Sequence, residues 1–111
     1  MLHRYAFSNF QSFRDRTEVS WLLDGKVPEA VWSHAAGSGE RLSTVMAVIG
    51  PNASGKTALL KPILFLEWFV RHSFAADPAQ DLPYAPHAAA AGEASEFEAD
   101  VDMDGRLMRY T

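Results

Sequence analysis

The run Gly50-Pro51-Asn52-Ala53-Ser54-Gly55-Lys56-Thr57 constrains this chain more than any other feature. Two glycines are separated by four residues and followed at once by Lys and Thr, with five apolar residues, 45–49, before them and a long apolar-rich stretch after. At average residue usage such a match arises by chance in roughly a few per thousand chains of this length. The order predicts a strand, a tight loop and a helix start, so that successive backbone N–H groups and the helix N-terminus face one anion. Gly50 and Gly55 would admit backbone angles and a close approach that a Cβ obstructs. The bland alternative is a glycine turn that merely joins strand to helix.

The flanking segments predict an α/β fold. Residues 45–49 are consecutive apolar positions with β-branched members, the pattern of a strand covered on both faces in a mostly parallel sheet. Residues 56–72 read as a helix whose polar members Lys61, Glu67 and Arg71 share a sector of about 120°. The rest of its circumference is apolar, which predicts cover from several directions, as for a helix sandwiched between two sheets. Pro62 removes a backbone donor inside it and predicts a bend.

Before this unit, residues 2–7 and 17–22 alternate, and they form the natural antiparallel hairpin of residues 1–24, with turn chemistry at Ser8-Asn9 and closure at Asp24-Gly25. Val31-Trp32 reads as either a strand or a loop anchor. After the helix, residues 75–95 carry Pro78, Pro83, Pro86 and Gly92 among many alanines, a connector expected to be mobile, with a short helical piece at residues 88–91. Residues 96–111 form a second hairpin around Asp104-Gly105.

Composition narrows the chemistry. Fourteen acidic against ten basic residues give a net charge of −4, with no basic face for nucleic acid, which would be reached only through other parts of an assembly. The absence of cysteine removes disulfides, zinc fingers and thiol catalysis. His3 and Arg4 interrupt the apolar core a secretory signal needs, and no stretch reaches the roughly 20 apolar residues of a membrane span, so a cytoplasmic protein is expected. His3, His34, His72 and His87 lack metal-ligand spacing and read as structural. Glu98, Asp100 and Asp102 alternate along one strand, which fits a solvated hairpin face better than a carboxylate cluster. Trp68, Phe69 and Phe74 read as core rather than a base-stacking platform.

The candidate site is therefore Gly50, Asn52, Ala53, Ser54, Gly55, Lys56, Thr57 and Ala58. Lys56 would set its ammonium beside β and γ phosphates, and Thr57 would give its hydroxyl to Mg²⁺ bridging them. Hydrolysis also needs a second carboxylate closing an apolar strand and a group orienting water. No later run of four apolar residues ends in Asp-Asp or Asp-Glu, and neither an Asn-Lys-x-Asp guanine reader nor a Leu-Ser-Gly-Gly signature is present. No catalytic residue is assigned within the chain. It is expected to be the N-terminal part of a longer ATPase, a truncated form, or half of a split protein.

On the residues Phe7-Ser8-Asn9-Phe10-Gln11-Ser12-Phe13, the loop of residues 50–57 with its Asn-Ala-Ser-Gly-Lys core, and Ala58-Leu59-Leu60, the chain resembles ABC-type ATPase heads. The likeness is to the SMC, RecF and overcoming-lysogenization-defect group, especially bacterial AAA-family ATPases of abortive infection and phage defence. The resemblance implies a P-loop NTPase fold with the N-terminal hairpin sheet packed on the P-loop helix. It also implies ATP and Mg²⁺ as ligands, an approach of Gln11 and Ser12 to the nucleotide, and two heads closing over two ATP molecules in a homodimer or larger assembly that drives an effector. The chain departs from the pattern at Gln11, where many relatives are basic, and at Pro62. The competing reading is a non-catalytic interaction module that keeps the loop as structure.

Overall fold

The computed structural model describes residues 1–51, 55–83 and 85–111. The element order is β1 (Leu2–Ser8), β2 (Thr17–Ser20), β3 (Ser33–Ala35), β4 (Arg41–Ser43), α1 (Lys56–His72), β5 (Glu96–Met103) and β6 (Arg106–Tyr110). Short 3-10 turns lie at Ser73–Ala75 and Ala88–Ala90. Four strands form a sheet in the order β2-β1-β5-β6, and β3 pairs with β4 in a separate ribbon. The chain divides into two compact units: Met1–Ala6, Glu18–Val48 and Glu98–Thr111 in the first, Phe7–Thr17 and Ile49–Phe97 in the second.

In the first unit, β5 and β6 are antiparallel, with Met103 opposite Arg106. This register leaves Asp104 and Gly105 as a two-residue loop with φ of 54° and 75°, the type I′ geometry that Asp-Gly favours because both positions need positive φ. Met1 and Asp102 exchange backbone hydrogen bonds in both directions, the reciprocal pair of antiparallel neighbours. β4 extends its pairing to the segment after β2, where the Leu23 N–H donates to the Arg41 carbonyl and the Ser43 N–H to that of Trp21. Leu42 is fully buried, and Tyr5, Ala6, Val19, Ala36 and Ala99 join it in the apolar core among the described residues. Tyr5 packs on Trp21 with ring centroids 5.8 Å apart.

In the second unit, a chain of aromatic contacts runs from Phe13 through Phe7, Phe10 and Phe97 to Phe65 of α1. The first three are edge-to-face, the arrangement ring quadrupoles prefer, and the last brings Phe65 and Phe97 to 4.7 Å.

Several expectations need correction. Residues 45–49 form no strand; Val45 and Ile49 are exposed. A parallel strand exists only where neighbours complete its ladder, and no described strand pairs with these residues. α1 covers the range its periodicity outlines, yet it is not sandwiched. Leu60, Leu64 and Val70 are exposed beside Lys61, Glu67 and Arg71, and Pro62 is its one fully buried described residue. Phe74, read as core, is fully exposed. Val31-Trp32 is a turn before β3 rather than a strand; Val31 is in solvent, and the Trp32 carbonyl accepts the N–H and hydroxyl of Thr44. No helix among the described residues is long and apolar enough to cross a membrane.

Candidate phosphate site

Gly55 caps the N-terminus of α1 in the left-handed conformation, φ 92° and ψ 11°, and has no side chain with which to close the cap. No acidic residue stands in the first turn, so the positive end of the helix dipole is not neutralised from within that turn. The Gly55 carbonyl already accepts the Leu59 N–H, the first helical bond. A Cβ on Gly55 would lie 3.4 Å from both the Ser12 hydroxyl and the Phe13 ring, so the glycine is required by its φ and closely bordered as well.

The Lys56 ammonium donates to the Gly50 carbonyl, tying together the two ends of the loop. Thr57 is exposed, and Ala58 is half-buried one turn into the helix. Asn52, Ala53 and Ser54 lie outside the described residues, and with them the expectation that their amides turn inward.

Ser12 reaches Gly55 because the chain reverses at Gln11-Ser12 rather than at Ser8-Asn9. The N–H groups of Phe10 and Phe13 each donate to the other's carbonyl, at 2.8 and 2.9 Å, closing a two-residue turn. Asn9 and Gln11 both take positive φ, 51° and 49°. The connector, expected to be mobile, is tied to this turn across residues 85–95. Asn9 Nδ2 donates to the carbonyls of Ala90 and Glu93 at 2.9 Å each, and Asn9 Oδ1 accepts the His87 N–H. Sequence reading missed this role. Its available signal was an Asn, the residue after Gly most at ease with positive φ, followed directly by an aromatic anchor.

The acidic strand is not a solvated face. Asp100 is 6% exposed and accepts hydrogen bonds from Arg4 Nε at 2.7 Å and from Arg109 Nε and Nη2 at 2.8 and 3.0 Å. Glu98 pairs with the same two arginines, and Glu18 with Arg4. Hydrogen bonding from Arg109 lowers the Asp100 carboxyl below the usual range; burial opposes this, and the hydrogen bond and charge of Arg4 reinforce it. Two guanidiniums thus consume these carboxylates as structure. Asp102 instead accepts the Gly37 N–H, at 3.0 Å. His3 is buried with Nδ1 3.6 Å from Glu40 and Nε2 3.9 Å from Asp102, and no described group of three His, Cys, Asp or Glu residues could hold a metal. An open cavity of about 340 Å³ lined by Trp68, His72, Ala75, Ala76 and Gln80 sits at the C-terminal end of α1, remote from Gly55.

Residues 45–111, more than half of the chain, match the family model described as "AAA domain, putative AbiEii toxin, Type IV TA system". The matched stretch includes the loop of residues 50–57, α1, β5 and β6; the opening hairpin precedes it. No curated protein and no solved structure gives a significant match.

Proposed function

From the premise that the chain belongs to this AAA-domain family, we propose that residues 50–58 bind the triphosphate of ATP with Mg²⁺. The observation that carries the reading is the placement of Lys56 directly after a left-handed Gly55 at the N-terminus of a 17-residue helix. Gly50, Asn52, Ala53, Ser54, Gly55 and Ala58 supply the loop backbone. Lys56 exchanges the Gly50 carbonyl for β- and γ-phosphate oxygens, and Thr57 offers its exposed hydroxyl to the metal. Bound Mg²⁺ would neutralise charge shared by the two phosphates.

In this reading the domain is an ABC-type head related to the SMC, RecF and overcoming-lysogenization-defect group. The placing of Ser12 and Phe13 3.4 Å from where a Cβ on Gly55 would lie supports it, since the turn of residues 10–13 then borders the helix cap. Hydrolysis draws its Mg²⁺ carboxylate and signature residues from outside these residues. Paired heads close over ATP and drive an effector, in a bacterial defence setting or on DNA. A second reading, an interaction module, is favoured by β6, whose residues are all exposed at the sheet edge.

Calorimetric titration of the intact protein with ATP and Mg²⁺ tests the proposal. A charge-assisted hydrogen bond contributes about 1.5–3 kcal/mol, so Lys56→Ala should weaken binding about 10- to 150-fold. Equal affinity in both proteins would defeat the assignment. Absence of binding in the wild type would favour the interaction module.

A further inference from the structure

Asn9 is 3% exposed and spends every polar group it has. Its N–H donates to the Arg14 carbonyl at 3.0 Å, and its own carbonyl accepts the Ser95 hydroxyl. Its side chain donates to Ala90 and Glu93 and accepts from His87. Nδ2 faces carbonyls and Oδ1 faces an N–H, so the bonding pattern itself fixes the amide's orientation. The residue must also tolerate φ of 51°. Asparagine meets both demands: aspartate would hold the backbone and accept from His87, but would turn an oxygen without a proton toward two carbonyls.

Two further ties run from the same turn to the same connector. The Gln11 N–H donates to the Ala85 carbonyl at 2.8 Å, and Arg14 lies 3.9 Å from Glu93. Between these ties stands the Phe10 to Phe13 turn, whose Ser12 hydroxyl and Phe13 ring border Gly55 at 3.4 Å from where a Cβ would be. The physical chain therefore runs from residues 85–95, through Asn9, to the turn, to Gly55 at the helix cap.

We propose that Asn9 is a positioning residue for the nucleotide site: it locks residues 85–95 to the turn that walls Gly55, so that triphosphate affinity depends on a side chain that does not touch the nucleotide. The inference rests on the phosphate-binding reading above. Coupling of this kind is reciprocal. If the Asn9 lock holds the wall in the shape the triphosphate needs, then bound triphosphate must in turn hold the lock, and the amides that Asn9 and its turn engage must open less often.

The test uses the intact protein in four forms: wild type, Lys56→Ala, Asn9→Asp and Ser95→Ala. ATP affinity with Mg²⁺ is measured by calorimetry, and amide hydrogen exchange of residues 85–95 is followed by mass spectrometry with and without ATP and Mg²⁺. In the wild type, ATP with Mg²⁺ should slow exchange across residues 85–95 at least threefold; Lys56→Ala should show no such slowing. Asn9→Asp should weaken ATP about tenfold and abolish the slowing. Ser95→Ala, which removes one hydroxyl and leaves every Asn9 side-chain bond in place, should weaken ATP two- to fivefold and keep part of the slowing. Should Asn9→Asp fail to fold, the wild-type exchange and Ser95→Ala decide. Tight ATP binding by the wild type, lost in Lys56→Ala but accompanied by unchanged exchange at residues 85–95, would overturn this inference alone. Failure of the wild type to bind ATP would overturn the phosphate-site reading and this inference with it.

Discussion

Asp100→Asn should destabilise the protein by about 2–3 kcal/mol at pH 7, with a loss that vanishes in acid. The bond from Arg4 Nε runs between side chains 11% and 8% exposed, so it carries the larger share, about 1.5–3 kcal/mol for a hydrogen bond to a charged group. The two bonds from Arg109 come from a side chain 59% exposed, where water screens them, and they add little to it. Asparagine keeps the volume and one acceptor, and Arg4 retains Glu98 and Glu18, so the loss stays short of the roughly 3–5 kcal/mol of a buried charge left alone. The pH dependence follows from the depressed Asp100 carboxyl. The unfolded chain takes up this proton near the ordinary aspartate value of about 3.9, before the native state does. The stabilisation is therefore full above that value and drains as pH falls through it toward the lower native one. Urea titrations of wild type and Asp100→Asn, followed by circular dichroism from pH 7 to pH 2.5, should give curves that converge below about pH 4. A difference under about 0.5 kcal/mol at pH 7, or a gap that persists in acid, would show that the Asp100 carboxylate does not stabilise the fold through its arginines.

Three other substitutions probe separate parts of the structure. Gly55→Ala must hold a side chain at φ 92° against Ser12 and Phe13; it should cost about 1–2 kcal/mol in thermal unfolding and abolish measurable ATP binding by calorimetry. Leu42→Ala empties a fully buried position and should cost about 2–5 kcal/mol in urea titration. Gly37→Ala would set a Cβ 2.9 Å from the Gly105 Cα, a backbone atom with little room to yield, and should cost about 1–3 kcal/mol by the same assay.

Local chemistry was legible wherever the determinant sat within a few residues of its effect. The range of α1 followed from its periodicity, and the β5–β6 turn from Asp104-Gly105, because positive φ at both positions suits that pair. The phosphate-site candidates rest on spacing, and their role awaits nucleotide binding; the structure describes five of the eight, Gly50, Gly55, Lys56, Thr57 and Ala58. Legibility failed where partners arrive from afar. Asp100 looked solvated because nothing in residues 96–103 announces Arg4, 96 positions away in sequence, as its partner. Asn9 looked like turn chemistry because its acceptors, Ala90 and Glu93, lie more than eighty positions on. Residues 45–49 carry the composition of a buried strand, but composition specifies a demand for neighbours without supplying them. The exposed Leu60 and Leu64 make the same point for the helix.

Whether residues 50–58 hold a triphosphate is decided by a crystal structure of the intact protein grown with Mg²⁺ and a non-hydrolysable ATP analogue. Phosphate oxygens should lie within hydrogen-bonding distance of the Gly55, Lys56 and Thr57 amides. Lys56 Nζ should be released from the Gly50 carbonyl to the phosphates, and the Thr57 hydroxyl should be on the metal. An analogue bound elsewhere, or a Lys56 that keeps its bond to Gly50 with nucleotide present, would contradict the assignment.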